Sequence, residues 1–205
     1  MFEDTYKTIA EKAEGLYKDK GSRFIGLAYP VKSENEVKEI MAGIKKEYYD
    51  ATHHCYAYHI GHIGTPAVRM NDDGEPSATA GRPIYGQILS ADLKNILIVV
   101  IRYFGGTKLG VSGLINAYKE TAKITIENAD IIENTIRNVH TVEFDYSLMN
   151  PVMQILKNDA VTIKENGYND NKALITFEVI RSHSESIIMQ LDKIYGVLSK
   201  FITVV

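Results

Sequence analysis

The sequence predicts an α+β protein of two domains, and three observations carry that reading. Residues 137–205 run as strand, helix, two strands, helix, strand. Residues 1–130 mix strands and helices in a different order. The chain, 205 residues with 45% hydrophobic and 24% charged side chains, is long enough for two small cores and has ordinary globular composition.

The elements follow in order. T-I-A-E-K-A-E-G-L-Y-K and S-R-F-I-G-L-A-Y-P-V read as two strands of a hairpin, with Lys18-Asp19-Lys20-Gly21 as the turn. Ser33 followed by Glu36 is a capping box, and Val37, Ile40, Met41 and Ile44 repeat at helical spacing, so a helix is expected from about 34 to 48. H-H-C-Y-A-Y-H-I-G is a third strand. Gly61 to Gly74 lacks periodicity and reads as a long loop, and Glu75-Pro76-Ser77 as the start of a short helix. Asn95–Tyr103 is almost all branched apolar residues, the pattern of a strand buried on both faces. Beyond the glycines that follow, Leu114, Ala117, Tyr118, Ala122 and Ile126 form one helical stripe, which Asn128-Ala129-Asp130 closes.

In the last 75 residues T-V-E-F-D-Y alternates as a strand, and N-P-V-M-Q-I-L-K is a helix with proline near its start. V-T-I-K-E-N-G-Y and N-K-A-L-I-T-F-E-V-I form a hairpin around Asn169-Asp170. S-E-S-I-I-M-Q-L-D-K-I is a second helix, and F-I-T-V-V a last strand. The order βαββαβ is that of the ferredoxin-like sandwich. The domain boundary is expected near 130–137.

The net charge is −3. Residues 1–130 carry 16 Lys and Arg against 17 Asp and Glu, and residues 131–205 carry 7 against 9, so any RNA contact needs a local patch rather than a basic domain. The single cysteine, Cys55, excludes an internal disulfide and fits a reducing compartment. No signal-peptide pattern opens the chain, and no apolar run approaches the roughly 20 residues that cross a bilayer. A cytoplasmic protein without membrane contact is expected.

Three stretches carry chemistry. I-R-Y-F-G-G-T-K-L-G-V-S-G (101–113) has the strand, glycine loop, helix order of a phosphate loop. It fails the Walker pattern, because Thr107-Lys108 precede Gly110, and it is not G-x-G-x-x-G. What remains is generic: Gly105, Gly106 and Gly110 allow tight turns, and a helix N-terminus with Thr107, Ser112, Arg102 and Lys108 nearby suits an anion. The same glycines also read as turn and packing residues alone. Asn71-Asp72-Asp73-Gly74-Glu75 gathers three carboxylates; Asp72, Asp73 and Glu75 are candidates for magnesium, against the simpler reading of a solvated turn with helix-capping acids. H-H-C-Y-A-Y-H-I-G-H holds four of the six histidines. On a strand His53, Cys55 and His59 share one face, and His54, Tyr56 and Tyr58 the other, which does not suit zinc.

Taken together, N-D-D-G-E-P-S-A-T-A-G-R-P-I (71–84) and V-V-I-R-Y-F-G-G-T-K-L-G-V-S-G-L-I-N-A-Y (99–118) resemble the two signature stretches of the IMPACT/YigZ family. H-H-C-Y-A-Y-H-I-G resembles its third, and residues 137–205 the extra domain of its bacterial members. The resemblance implies an N-terminal α/β sandwich like the left-handed βαβ fold of a small-subunit ribosomal protein domain and RNase PH. It also implies a C-terminal domain like those of elongation factor G. Eukaryotic relatives regulate translation through an added N-terminal domain that this chain does not show. The family often has glycine where Ala78 stands, and glycine and arginine near Ser112 and Asn116.

The expected function is that of a translation-related regulator. Its N-terminal groove, floored by His53, His54 and Tyr56 and rimmed by Arg82, Arg102 and Lys108, would hold RNA, the ribosome or another phosphate-bearing ligand. A protein partner is a further reading. So is a magnesium-dependent phosphotransferase or phosphohydrolase, for which no activated nucleophile or general base is recognisable. No resident cofactor is expected.

Overall fold

Residues 4–169 and 172–205 are described in the computed structural model. They divide into two units: Lys7–Glu133, and Asn134–Val205 together with the residues before Lys7.

In the first unit the stretch read as one strand breaks into two, β1 (Thr5–Ile9) and β2 (Ala13–Asp19). β2 continues through a two-residue turn at Lys20-Gly21, both at positive φ, into β3 (Ser22–Pro30), with Asp19 opposite Ser22. That turn geometry matches the twist of the two strands. Helix α1 (Glu34–Glu47) is capped by Ser33, whose hydroxyl accepts from the Glu36 amide at 3.2 Å; the Glu36 carboxylate in turn accepts from the Lys32 amide at 2.8 Å.

β4 (His53–Ile60) follows, then β5 (Ala67–Asn71), which pairs with it antiparallel. The expected loop from Gly61 to Gly74 therefore contains an edge strand. Helix α2 (Gly81–Ser90) begins six residues later than Glu75-Pro76-Ser77 suggested. β6 (Ile96–Tyr103) and α3 (Gly110–Glu127) complete the unit, and α3 buries the expected stripe Leu114, Ala117, Tyr118, Ala122 and Ile126.

Five of these strands form one antiparallel sheet in the order β2-β3-β6-β4-β5. Central β6 is apolar on both faces because helices cover both. Ile96, Ile98 and Val100 meet α2 and α3, while Leu97, Val99 and Ile101 meet Val37, Met41 and Ile44 of α1. That is why a strand in an antiparallel sheet carries the continuous apolar run more common in parallel ones.

β7 (Ile131–Thr135) pairs with β1 in a two-stranded sheet. In the second unit β8 (Arg137–Asp145) leads through a 3-10 turn at Tyr146–Leu148 to α4 (Met149–Leu156). β9 (Val161–Asn169), β10 (Lys172–Ile180), α5 (Arg181–Asp192) and β11 (Leu198–Val204) follow. The turn expected around Asn169-Asp170 includes residues outside the described set. The sheet order is β11-β8-β10-β9, every pair antiparallel, and the element order is βαββαβ. Phe144, Phe177, Val152 and Leu191 lie at the centre of its core. Asp4 caps α5, its carboxylate accepting from the Ser182 amide at 2.8 Å and the Ser182 hydroxyl at 2.5 Å. This pairing brings the first described residue into the second unit.

Candidate functional site

The site grows from the end of β6. Arg102 lies on the same face as Ile98 and Val100, where a strand buried on both sides has no water to offer a charge, and it is only 5% exposed. A buried guanidinium needs a partner. Glu75, 8% exposed, supplies one: Arg102 Nη1 donates to Glu75 Oε1 at 2.6 Å. Tyr118 of α3 donates its hydroxyl to the same oxygen at 2.8 Å. His53 Nε2 stands 3.9 Å from it.

The thiol of Cys55 lies 3.0 Å from the Asp72 carbonyl and 3.3 Å from the Tyr118 hydroxyl. Burial pushes that thiol up, and burial likewise raises the Tyr118 hydroxyl, with Cys55 and Glu75 beside it adding to the effect. Both groups stay protonated at physiological pH, so Cys55 is an inert thiol and Tyr118 a donor.

Arg102 uses one nitrogen for Glu75. Its Nε is buried and, like Nη2, has no hydrogen-bond partner among the described residues. Nε and Nη2 form the side-on edge with which arginine grips phosphate or carboxylate through two parallel bonds. The rings of Phe24 and Phe104 lie 5.4 and 5.5 Å from the guanidinium carbon.

Around this core lies a cleft of about 400 Å³ lined by Thr52, His53, Glu75, Arg102, Phe104 and Lys108, and by the start of α3. His53 Nδ1 donates to the Asp73 carbonyl at 2.7 Å, since a carbonyl can only accept. In a neutral imidazole that leaves Nε2, the nitrogen on the Glu75 side, as the acceptor. Helix α3 opens with no side-chain cap and no acidic residue in its first turn. Its first N–H groups and partial positive charge are therefore available to an anion.

The glycine loop serves both readings. A Cβ on Gly105 would lie 1.9 Å from the carbonyl carbon of Gly21, so Gly105 is where the loop packs on the β2–β3 turn; its amide also donates to Ser22 at 3.1 Å. Gly106 and Gly110 sit at φ of +86° and +74°, turning the chain into the helix. Thr107 and Ser112 are exposed on the loop and the first turn of α3.

The other expected site residues separate. His54 and Tyr56 lie on the α1 face of the sheet, opposite His53 and Arg102. His54 Nε2 pairs with the Tyr48 carbonyl at 2.9 Å, and Tyr56 stacks on Tyr58 at 6.4 Å. Adjacent strand residues point to opposite faces, so the groove floor of His53, His54 and Tyr56 reduces to His53. Arg82 is exposed on the first turn of α2 and does not line the cleft.

The three carboxylates diverge as well. Asp72 accepts from the amides of Ala78, Ala80 and Gly81 at 2.8 to 3.0 Å and so caps α2 from outside the helix. Asp73 accepts from the His54 amide at 2.7 Å. Glu75 turns inward to Arg102. Among the described residues no group of three or more His, Cys, Asp or Glu side chains converges as metal ligands would, and Asp72, Asp73 and Glu75 each turn to a different partner.

A second depression, of about 500 Å³, covers the β2–β3 turn and is lined by Lys18, Asp19, Lys20, Arg23, Tyr103 and Phe104. Phe104 belongs to both. Lys18, Lys20 and Arg23 are exposed, and the Arg23 guanidinium lies over the Tyr103 ring at 4.5 Å. From sequence Lys18 and Lys20 read only as turn residues and Arg23 only as part of the following strand; the signal was K-x-K-x-x-R across a tight hairpin.

The comparisons with known proteins agree with the quoted signature stretches. The family model of the Impact N-terminal domain matches residues 20–126. The chain is 35% identical over 176 residues to the IMPACT family member YvyE of Bacillus subtilis, covering 84% of this chain and 79% of that one. It is 30% identical to YigZ of Escherichia coli over 67% of this chain and 68% of that protein. A crystal structure described only as a hypothetical protein superposes with a TM-score of 0.73 at 23% identity, covering 98% of this chain and 99% of that one, which extends the likeness of fold to both units. No described helix is long and apolar enough to cross a membrane. The chain belongs to the IMPACT family.

Proposed function

We propose that the protein is a translation-linked RNA-binding regulator. Single-stranded RNA would cross Phe104 between the two depressions, and the carrying observation is that these depressions, each lined by cations, share that one exposed ring. Lys18, Lys20 and Arg23 would follow phosphates on one side, and Lys108 and Arg102 on the other, while a base stacks on Phe104. The local patch replaces the basic domain that the composition lacks. The translational role rests on the family resemblance. A ferredoxin-like second unit, which its strand order suits, would offer a further surface to the ribosome or a translation factor.

Fluorescence anisotropy with a short 5′-hydroxyl oligoadenylate at low salt tests the reading. Phe104→Ala should weaken binding by about 1–3 kcal/mol, the usual worth of one stacked base. The triple variant Lys18→Ala, Lys20→Ala, Arg23→Ala should flatten the log–log salt dependence by about 0.7 for each phosphate it no longer neutralises. Absence of binding at low salt, or binding indifferent to both variants, overturns it.

A further inference from the structure

The two depressions differ in what they offer a phosphate. Lys18, Lys20 and Arg23 are exposed side chains over a turn and suit the passing diesters of a strand. The cleft instead concentrates fixed donors. The unpartnered Nε and Nη2 edge of buried Arg102, the Lys108 ammonium and the uncapped start of α3 all belong to one cavity of about 400 Å³. We infer that this cleft is a pocket for a terminal phosphomonoester on a nucleotide, as carried by a free nucleoside monophosphate or by a phosphorylated RNA end.

The reading deepens the RNA proposal and rests on the same cleft. A diester has two non-bridging oxygens, whereas a terminal monoester has three and carries about −1.5 to −2 charge near neutral pH. The cleft presents three kinds of donor: a planar arginine edge, a mobile ammonium and backbone N–H groups at a helix start. Glu75 offsets the Arg102 charge through Nη1 and takes the Tyr118 hydroxyl on the same oxygen, so the surplus positive charge of the cleft is Lys108, while Arg102 contributes the donors of its other edge. Apart from Thr52 and His53, the rest of the side-chain wall is apolar: Pro76, Phe104, Leu109, Val111 and Leu114. Phe104 and Val111 are 48% and 60% exposed, a surface for a flat ring beside the phosphate. His53 Nε2, an acceptor in the neutral tautomer, suits a ribose hydroxyl. Bare phosphate would leave ring and acceptor unused.

The test uses the full chain with four ligands: one short oligoadenylate with a 5′-phosphate, a 3′-phosphate or no terminal phosphate, and AMP, with inorganic phosphate as control. At least one phosphorylated end should bind about tenfold or more tighter than the unphosphorylated strand, as expected for added charge-assisted hydrogen bonds. Lys108→Ala should erase that preference. So should the paired variant Arg102→Gln with Glu75→Gln, which removes both buried charges together. The triple variant of Lys18, Lys20 and Arg23 should weaken every oligonucleotide and keep the ratio. In an amide NMR titration AMP should shift Gly110, Val111 and Ser112, and inorganic phosphate should bind there at least tenfold more weakly.

If all three oligonucleotides bind equally, the end pocket is overturned while RNA binding stands. If none binds but AMP shifts the α3 amides, RNA binding falls and the nucleotide pocket stands. If AMP shifts nothing, the pocket falls. Equal affinity for AMP and inorganic phosphate also overturns it, leaving a site for the ion alone.

Discussion

The two faces of the five-stranded sheet are built on opposite terms. Toward α1, β6 presents Leu97, Val99 and Ile101 to Val37, Met41 and Ile44, and that core is closed by apolar contact. Toward α2 and α3 the same strand begins with Ile96, Ile98 and Val100 but ends in Arg102, whose partner Glu75 comes from a loop 27 residues away. A buried ion pair is weak evidence for stability, since desolvation takes back most of the attraction. The α1 face shows that this fold can cover β6 with apolar residues alone. On the function proposed here the charged end serves the cleft: a guanidinium held from behind by Glu75, whose buried Nε has no partner among the described residues.

The largest expected effect breaks this difference directly. Glu75→Ala would leave Arg102 buried without its counter-charge and should cost about 3–5 kcal/mol in urea denaturation. The double variant Glu75→Gln with Arg102→Met, which makes the charged face resemble the apolar one, should recover most of that loss or exceed wild type. If the double variant is as unstable as the single, the ion pair is a structural requirement and the comparison fails.

An intermediate effect concerns the loop that carries Glu75. Asp72 collects three amides, two of them at the start of α2. Asp72→Ala removes an N-cap and a charged acceptor together and should cost about 2–3 kcal/mol. Amide exchange should speed up at Ala78, Ala80 and Gly81 and stay unchanged in α1, which Ser33 caps independently. Uniform acceleration over the whole unit would mean that Asp72 does not act on this loop in particular.

The same distinction between local and distant partners decides what the chain makes legible. Helices α1 and α3 and strand β6 are legible because each buries a regular stripe whose spacing lies within the element. β5 is not, because Ala67, Val68, Arg69 and Met70 are all exposed and an edge strand without a buried face has no alternation. The start of α2 escapes the sequence because its cap, Asp72, lies nine residues before Gly81, beyond any capping box. At the site, Arg102 and Lys108 are visible as cations beside glycines. The Glu75 partnership is not, although a lone arginine closing a fully apolar strand has to find an acid somewhere. The expected groove floor joined His54 and Tyr56 to His53 across a sheet, despite the alternation that assigns them to the other face.

The smallest effect tests whether the loop is strained for the sake of the cleft. Ala78 sits at φ of +61°, in the left-handed region where a Cβ costs roughly 1–2 kcal/mol, and its amide is held there by Asp72. Glycine removes that cost but gives up about 0.5–1 kcal/mol of chain entropy on folding. Ala78→Gly should therefore raise stability, by about 0.5–1 kcal/mol in urea denaturation. The charged face supplies the control: because Asp72 holds the Ala78 amide and Glu75 follows three residues after Asp72, relieving the turn should leave terminal-phosphate binding unchanged. A gain in stability together with weaker binding would show that strain at Ala78 positions Glu75, and through it Arg102.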